Sequence, residues 1–142
     1  MESIRTKDCA KINTKDGDGN PNGWILEILS SENERGFMGQ IYLCVVSVGA
    51  FKGYHLHTNA NYYVTCIKGK IREWIGKDLS YEIGEGNYKT IFLPSGVPHA
   101  LENIGTEDAY VLIYRDVAWR PGVKDQIEIS REEILEYEKY IK

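Results

Sequence analysis

The sequence lacks the long apolar segments and the cysteine pairs that mark several classes of protein. No apolar run approaches the roughly 20 residues that a membrane-spanning helix needs, and the first residues do not contain the apolar segment of a secretory signal. There are only three cysteines, Cys9, Cys44 and Cys66, an odd number without a C-x-x-C pair. This pattern argues against a disulfide framework or a zinc ribbon and favours a reducing compartment. We therefore expect a cytoplasmic protein that is not embedded in a membrane.

Positive charge is also scarce. The formal net charge is −4 at pH 7, so no overall basic field favours binding to nucleic acid. An anionic small molecule would have to be met by local cations. The candidate cations, all close to the histidine region in the sequence, are Arg35, Lys52, Lys68, Lys70 and Arg72.

Helical periodicity is nearly absent. We expect the 142 residues to form a single domain. Over residues 24–116, short apolar segments are separated by glycine, proline or asparagine, which predicts seven or eight strands in a sandwich or barrel. Residues 1–23 are polar and are expected to be irregular. A helix is predicted only over 131–141, because Ser130 and Glu133 form a capping box before an apolar stripe.

The chain has only three histidines, and all of them lie in the middle of the predicted β region. His55 and His57 are two residues apart, so their side chains face the same side of a strand. His99 follows the turn-forming stretch P-S-G-V-P at 94–98, which leads into a further strand. This pattern predicts one site, and three imidazoles are able to hold a divalent transition metal.

The order of these residues resembles the paired signatures of the cupin superfamily. The first signature is met by a glycine, five residues, H-L-H and a second glycine, and the second signature by P-S-G-V-P-H-A-L-E-N. The matching positions are Gly49, His55, His57, Gly69, Pro94, Gly96, His99 and Asn103. The resemblance implies an all-β double-stranded β-helix (jelly roll), to which the predicted C-terminal helix is added, with a cavity lined by these residues. Tyr62 stands where the cupin signature has a glutamate.

A narrower resemblance is to cupins that isomerise nucleotide-linked sugars. G-A-F-K-G-Y-H-L-H is similar to G-V-L-R-G-L-H-Y-Q of the dTDP-4-dehydrorhamnose 3,5-epimerases and to R-G-F-H-A-H of the dTDP-sugar 3,4-ketoisomerases. V-L-I-Y-R-D is similar to the epimerases' E-F-L-Y-K. The resemblance implies His55 as catalytic base and Tyr114 as general acid, acting on a dTDP-4-keto-6-deoxyhexose. A histidine that is neutral near pH 7 suits removal of a proton beside a ketone.

Further residues are expected to line the cavity or to bind the phosphate groups of the ligand. The expected cavity or oxyanion-binding residues are His57, His99, Tyr62 and Tyr110. The expected phosphate-binding residues are Lys52, Arg35 and Arg72. Lys52 occupies the place of the arginine in the family's R-G-x-H, which keeps the charge but not the bidentate fork. No residue is matched to the epimerases' distal aspartate, which pairs with the catalytic histidine.

Several functions stay open. The leading one is a 3,5-epimerase-like isomerase without a cofactor, since Tyr62 supplies a neutral phenol where cupins have a carboxylate ligand. The alternatives are a 3,4-ketoisomerase, a non-catalytic sugar-binding cupin, and a metallocupin with a divalent transition metal on His55, His57 and His99. The expected partner is a nucleotide sugar. We also expect a homodimer, because a sandwich with open edge strands gains by covering them.

Overall fold

The computed structural model describes residues 4–130 and 133–134, which form two antiparallel sheets. Their strands are β1 (Lys11–Lys15), β2 (Pro21–Ser30), β3 (Gln40–Val46), β4 (Phe51–His57), β5 (Tyr62–Lys68), β6 (Lys70–Ile75), β7 (Leu79–Gly84), β8 (Thr90–Leu93), β9 (His99–Asn103), β10 (Ala109–Arg115) and β11 (Gln126–Glu128). The order in the six-stranded sheet is β1-β2-β3-β10-β5-β8, and in the five-stranded sheet β11-β4-β9-β6-β7. No helix in the described part of the chain is long and apolar enough to cross a bilayer.

The main core lies between the two sheets because apolar residues recur at every second position of the strands. In β10, Val111 and Ile113 are buried in this core, whereas Tyr110 and Tyr114 lie half-buried on the opposite face of the strand. Strands of both sheets contribute to the same cluster. The predicted all-β fold is confirmed, and the two sheets fit a jelly roll.

A second apolar cluster covers the outer face of the five-stranded sheet. It consists of Tyr54 and Leu56 from β4, Ala100 from β9, and Ile129 and Ile134 from the chain after β11. Ile129 and Ile134 are therefore packed onto this sheet.

The strands extend beyond the predicted core of residues 24–116 at both ends. The expectation that residues 1–23 are irregular is wrong for β1 and for the start of β2. β1 is a largely exposed strand at the edge of its sheet, so its sequence shows no apolar alternation. β11 has only three residues, too few to show a period.

The predicted C-terminal helix lies almost wholly outside the described residues. Of 131–141, only Glu133 and Ile134 are described. The Glu133 backbone N–H donates to Ser130 Oγ at 3.1 Å, which is one half of the predicted capping box. These two residues do not establish a helix.

Candidate functional site

A cavity of about 460 Å³ opens between the sheets, and all three histidines line it. The ligand atoms that the three imidazoles offer all lie within 4.8 Å of one another. The His55 ring centroid is 4.6 Å from that of His99 and 5.2 Å from that of His57. The structure therefore brings the three histidines together at one cavity.

An irregularity in β4 brings Lys52 to the same cavity. Strict alternation would place Lys52 and His55 on opposite faces, because three residues separate them. The pairing of β4 with β9 shifts register between Gly53 and His55, and both Lys52 and His55 then line the cavity. Gly53 has a φ of 129°, and a Cβ built on it would lie 2.7 Å from the Cβ of Ala100. Only glycine fits this close approach of the two strands.

His57 is held by a buried carboxylate from a distant part of the chain. Its Nδ1 lies 3.0 Å from Asp125 Oδ2, and Arg115 donates to the same oxygen at 2.8 Å. The backbone N–H groups of Thr58 and Asn59 donate to Asp125 Oδ1 at 3.1 and 2.9 Å. Burial acts to raise the pKa of Asp125, but the Asn59 N–H and the Arg115 charge outweigh it, and the pKa is lowered.

His99 is held by a second buried carboxylate. Its Nδ1 lies 2.7 Å from Glu73 Oε1, and the Glu73 side chain is fully buried. Neither Glu73 Oε2 nor His99 Nε2 has a hydrogen-bond partner among the described residues. Burial raises the pKa of Glu73 and lowers that of His99 to about 4.

All three imidazoles are uncharged near neutral pH. Burial lowers the pKa of His55 to about 3, with smaller effects from the charges of His99 and Lys52. Burial likewise lowers the pKa of His57 to about 3, against the raising effect of Asp125. A neutral imidazole is the form that binds a metal.

The residues present fit a divalent transition metal. His57 and His99 use Nδ1 for carboxylates, which leaves Nε2 of each ring for the cavity, the usual arrangement of a histidine ligand with its supporting carboxylate. The Nε2 of His99 is buried and has no partner in the described structure. The donor set therefore favours the metal alternative over the expectation of a site without a cofactor.

Tyr62 lies in the cavity but is a poor substitute for a carboxylate ligand. Its hydroxyl is 3.0 Å from His57 Nδ1, and its ring stacks on that imidazole with a centroid separation of 3.9 Å. Burial raises the pKa of Tyr62, so the phenol stays protonated. It can serve as a hydrogen-bonding group at the wall of the cavity.

The structure does not bring the two tyrosines of β10 to this cavity. Tyr110 and Tyr114 share a face of the strand, but that face is the outer one, because Ile113 and Arg115 take the inner positions. The Tyr114 hydroxyl donates to the carbonyl of Met38 at 3.0 Å, and Tyr110 packs edge-on against Trp24. This placement corrects the pairing of His55 with Tyr114 across one cavity.

Two of the three predicted phosphate-binding residues also lie elsewhere. Arg35 is exposed in the connection between β2 and β3. Arg72 is on the outer face of β6, where it pairs with Glu82 and Glu102. Only Lys52 lines the cavity, because the register shift turns it inward.

Three residues that support the site were missed by sequence reasoning. Glu73 and Arg115 carried a signal, since each stands at an inward position of its strand otherwise filled by apolar residues. Asp125 carried none, because it lies before the three-residue strand β11, in a stretch without periodicity. Asp125 also supplies what was not found in the sequence, a distal aspartate paired with a cavity histidine.

Comparisons with known proteins agree with this architecture. Three similar solved structures are the capsular polysaccharide assembling protein CapF of Staphylococcus aureus, the oxalate decarboxylase of Bacillus subtilis, and the cupin-2 domain Rru_A2000 of Rhodospirillum rubrum. CapF has 18% identity and a TM-score of 0.72, over 88% of this chain and 32% of its own. The decarboxylase has 18% identity and a TM-score of 0.66, over 86% of this chain and 30% of its own. Rru_A2000 has 13% identity and a TM-score of 0.70, over 95% of this chain and 84% of its own.

At these identities the likeness shows the fold. The chain spans about a third of the length of the CapF and oxalate decarboxylase chains. A comparison with curated protein sequences finds no match. The family profile described as a cupin domain, however, matches residues 42–114, a little more than half of the chain. On this match, and with two sheets enclosing a three-histidine cavity, the chain belongs to the cupin family.

Proposed function

We propose that the protein is a metal-binding cupin, in which His55, His57 and His99 hold a divalent transition metal at the wall of the cavity. The observation that carries this proposal is the close group of three neutral imidazoles, one of which has a buried Nε2 without a partner in the described structure. A buried acceptor without a partner is costly, and a metal ion would relieve that cost.

The cavity residues indicate the chemistry of the molecule that binds there. Lys52 is half-buried in the wall, and its Nζ lies 3.5 Å from the Cys44 thiol. No ion pair is formed by Lys52 within the described residues. On a wall that also carries Lys15, Asp16 and Glu128, this ammonium group without an ion-pair partner is the contact for an anionic group of the ligand, such as a carboxylate or a phosphate.

The remaining wall combines a phenol with apolar side chains. The Tyr62 hydroxyl remains protonated and contacts His57 Nδ1, and Leu101 and Ile113 provide an apolar surface that excludes water. When bound, the metal would supply Lewis-acid polarisation of a ligand oxygen. Support for metal binding also comes from the similar fold of B. subtilis oxalate decarboxylase, a protein with Mn(II) centres.

Metal analysis tests this proposal. Metal is removed from the purified protein with a chelator, and the protein is then dialysed against Mn, Fe, Co, Ni or Zn salts. Elemental mass spectrometry measures the metal content, and isothermal titration calorimetry measures the binding. We expect one equivalent of at least one of these metals to bind to the unmodified chain, and little or none to His57→Ala or His99→Ala. Equal metal contents in the variants and the unmodified chain would place the metal elsewhere, and no binding of any metal would overturn the proposal.

A second candidate is the isomerase of nucleotide-linked 4-keto-6-deoxy sugars. The observation that favours it is the contact of His57 with the distal Asp125. In this candidate His57 would act as the base, and the carboxylate of Asp125 would orient its ring. In this candidate Tyr62, not Tyr114, is the hydroxyl near the base. The similar fold of CapF, a capsular polysaccharide assembling protein, adds weak support.

Deuterium uptake separates the two candidates. The protein is incubated with dTDP-4-keto-6-deoxyglucose in D2O, once stripped of metal and once loaded, with Asp125→Asn as the control. Uptake at C3 and C5 would support 3,5-epimerase chemistry, and uptake at C3 with a 3-keto product would support the 3,4-ketoisomerase. Absence of uptake in both forms would overturn the isomerase candidate and leave metal binding untouched.

A further inference from the structure

Glu73 is the least expected residue of the core. It lies on β6 between Ile71 and Ile75, and these three inward positions face the space between the sheets. Its side chain has no exposed surface, and its Oε2 has no partner among the described residues. A carboxylate in such surroundings destabilises a fold unless it is paired, and an apolar residue of the same size would pack there without that cost.

The one polar contact of Glu73 is with a histidine of the cavity. Its Oε1 lies 2.7 Å from His99 Nδ1, so a proton is held between these two atoms. With Nδ1 engaged in this way, the remaining nitrogen, Nε2, is the atom of His99 that has no partner in the described structure. The contact therefore determines which nitrogen of His99 is available to a ligand.

The two carboxylates behind the cavity histidines have different surroundings. The cupin signature places a glutamate at the position of Tyr62, and this chain has a neutral phenol there. Three imidazoles and a phenol give a cation no negative charge in direct contact. The two buried carboxylates, Glu73 behind His99 and Asp125 behind His57, lie one side chain further out. The charge of Asp125 is already shared with Arg115.

We infer that Glu73 is the positioning residue of the metal site: it holds His99 by Nδ1, so that Nε2 is the nitrogen left free to bind a metal. This inference rests on the proposed metal site. Asp125 cannot replace this function, because it contacts His57 and not His99.

The test compares two carboxylates of the same sheet. Glu73→Gln keeps the shape of the side chain and replaces the carboxyl group by an amide. Glu102→Gln is the matched control, because Glu102 lies on the outer face of β9 and contacts Arg72 and Trp74 instead of a histidine. Glu73→Leu is the second variant, which retains a packed core if the glutamine variant fails to fold. The readouts are the metal dissociation constant and the ¹⁵N chemical shifts of the His99 ring in the metal-free protein.

We expect Glu73→Gln and Glu73→Leu to weaken metal binding by roughly 10- to 100-fold, with no change in Glu102→Gln. The His99 ring shifts should differ between the unmodified chain and Glu73→Gln, and should be the same in Glu102→Gln. If the unmodified chain binds metal and Glu73→Gln binds it equally well, this inference is overturned and the proposed function stands. If the unmodified chain binds no metal, the proposed function fails, and unchanged His99 shifts in Glu73→Gln would refute the positioning role separately.

Discussion

The three imidazoles of the cavity differ in how firmly they are held. His57 is fixed by Asp125 and by stacking on Tyr62, and His99 is fixed by Glu73. For His55, the described residues provide ring contacts with the other two histidines but no hydrogen bond to its ring. His55 is therefore the ring whose orientation a bound metal or ligand would determine.

The burial of His55 leads to a prediction about pH. In the unfolded chain a histidine binds a proton near pH 6.5, whereas burial holds the folded His55 neutral down to a pKa of about 3. Between these values the unfolded state binds more protons, so the stability of the metal-free protein should decrease as the pH is lowered. The contribution of one such group is about 1.4 kcal/mol per pH unit.

Replacement of His55 by glutamine removes this contribution. For His55→Gln, we expect the decrease in the free energy of unfolding between about pH 6 and pH 4 to be shallower by about 1.4 kcal/mol per pH unit. The free energy of unfolding of His55→Gln still decreases with decreasing pH, because burial also lowers the pKa of His57 and His99. Urea denaturation of the metal-free proteins at several pH values measures both slopes. Parallel curves for the two proteins would show that the pKa of His55 is not lowered in the folded protein.

At the level of residues, the sequence identified the three histidines of the cavity but not the residues that support them. His55, His57 and His99 are the only histidines of the chain and stand at the positions of the two cupin signatures, so they were predictable. Asp125 reaches His57 across 68 positions, through a loop whose path depends on tertiary packing. Tyr114 was assigned to the cavity from the resemblance of V-L-I-Y-R-D to the epimerases' motif, and that match of residues could not tell the inner face of the strand from the outer one.

β4, the strand that carries His55 and His57, is irregular. This irregularity determines which side chains line the cavity. A regular β4 would present Lys52 on the face opposite to His55. The register shift at Gly53 turns both inward, and Tyr54 turns outward into the second apolar cluster. Sequence periodicity does not show such a shift, because a single glycine in a strand is compatible with a bulge or with close packing alone.

Gly53 is therefore expected to be intolerant of a side chain. In Gly53→Ala, the new Cβ would lie 2.7 Å from the Ala100 Cβ, on a backbone with a φ of 129°. We expect a loss of about 2–4 kcal/mol in the free energy of unfolding, together with weaker binding of anionic ligands, because Lys52 would be displaced. Urea denaturation measures the first effect, and calorimetric titration with phosphate the second.

Gly17→Ala is the matched control for this experiment. Gly17 lies in the exposed connection between β1 and β2, and no heavy atom is within 4 Å of a Cβ built there. A change in its free energy of unfolding within about 0.5 kcal/mol is expected. If Gly53→Ala were as stable as Gly17→Ala, β4 and β9 would not approach as closely as the structure indicates.

At the scale of the whole molecule, the two sheets differ in what covers their outer faces. The outer face of the five-stranded sheet is covered by Ile129 and Ile134. On the six-stranded sheet, four rings linked by three successive contacts form an outer aromatic patch, composed of Phe37, Tyr114, Tyr63 and Phe92. Tyr63 and Phe92 are 42% and 50% exposed, and the strand of Phe92 is the edge of the sheet. Contiguous exposed aromatic side chains are typical of interaction surfaces.

The homodimer expected from the sequence remains a prediction, and the outer aromatic patch is the surface on which we expect it to form. Two copies related by a twofold axis would place the same uncharged rings against each other, which leaves no charge unpaired in the interface. Light scattering after size-exclusion chromatography should then give twice the chain mass of 16.2 kDa. In Tyr63→Lys, the mass should fall to that of one chain, because two ammonium groups would be brought together in an apolar interface.

Tyr81→Lys is the matched control for the dimer. Tyr81 is 46% exposed, close to the exposed fraction of Tyr63, but it lies on β7 at the edge of the five-stranded sheet. Both variants replace an exposed tyrosine by a lysine, so their chain masses are equal. A difference in the mass measured by light scattering therefore reports on which face of the molecule forms the dimer. A dimer that persists in Tyr63→Lys and dissociates in Tyr81→Lys would assign the interface to the five-stranded sheet, and a single-chain mass for the unmodified protein would rule out the dimer.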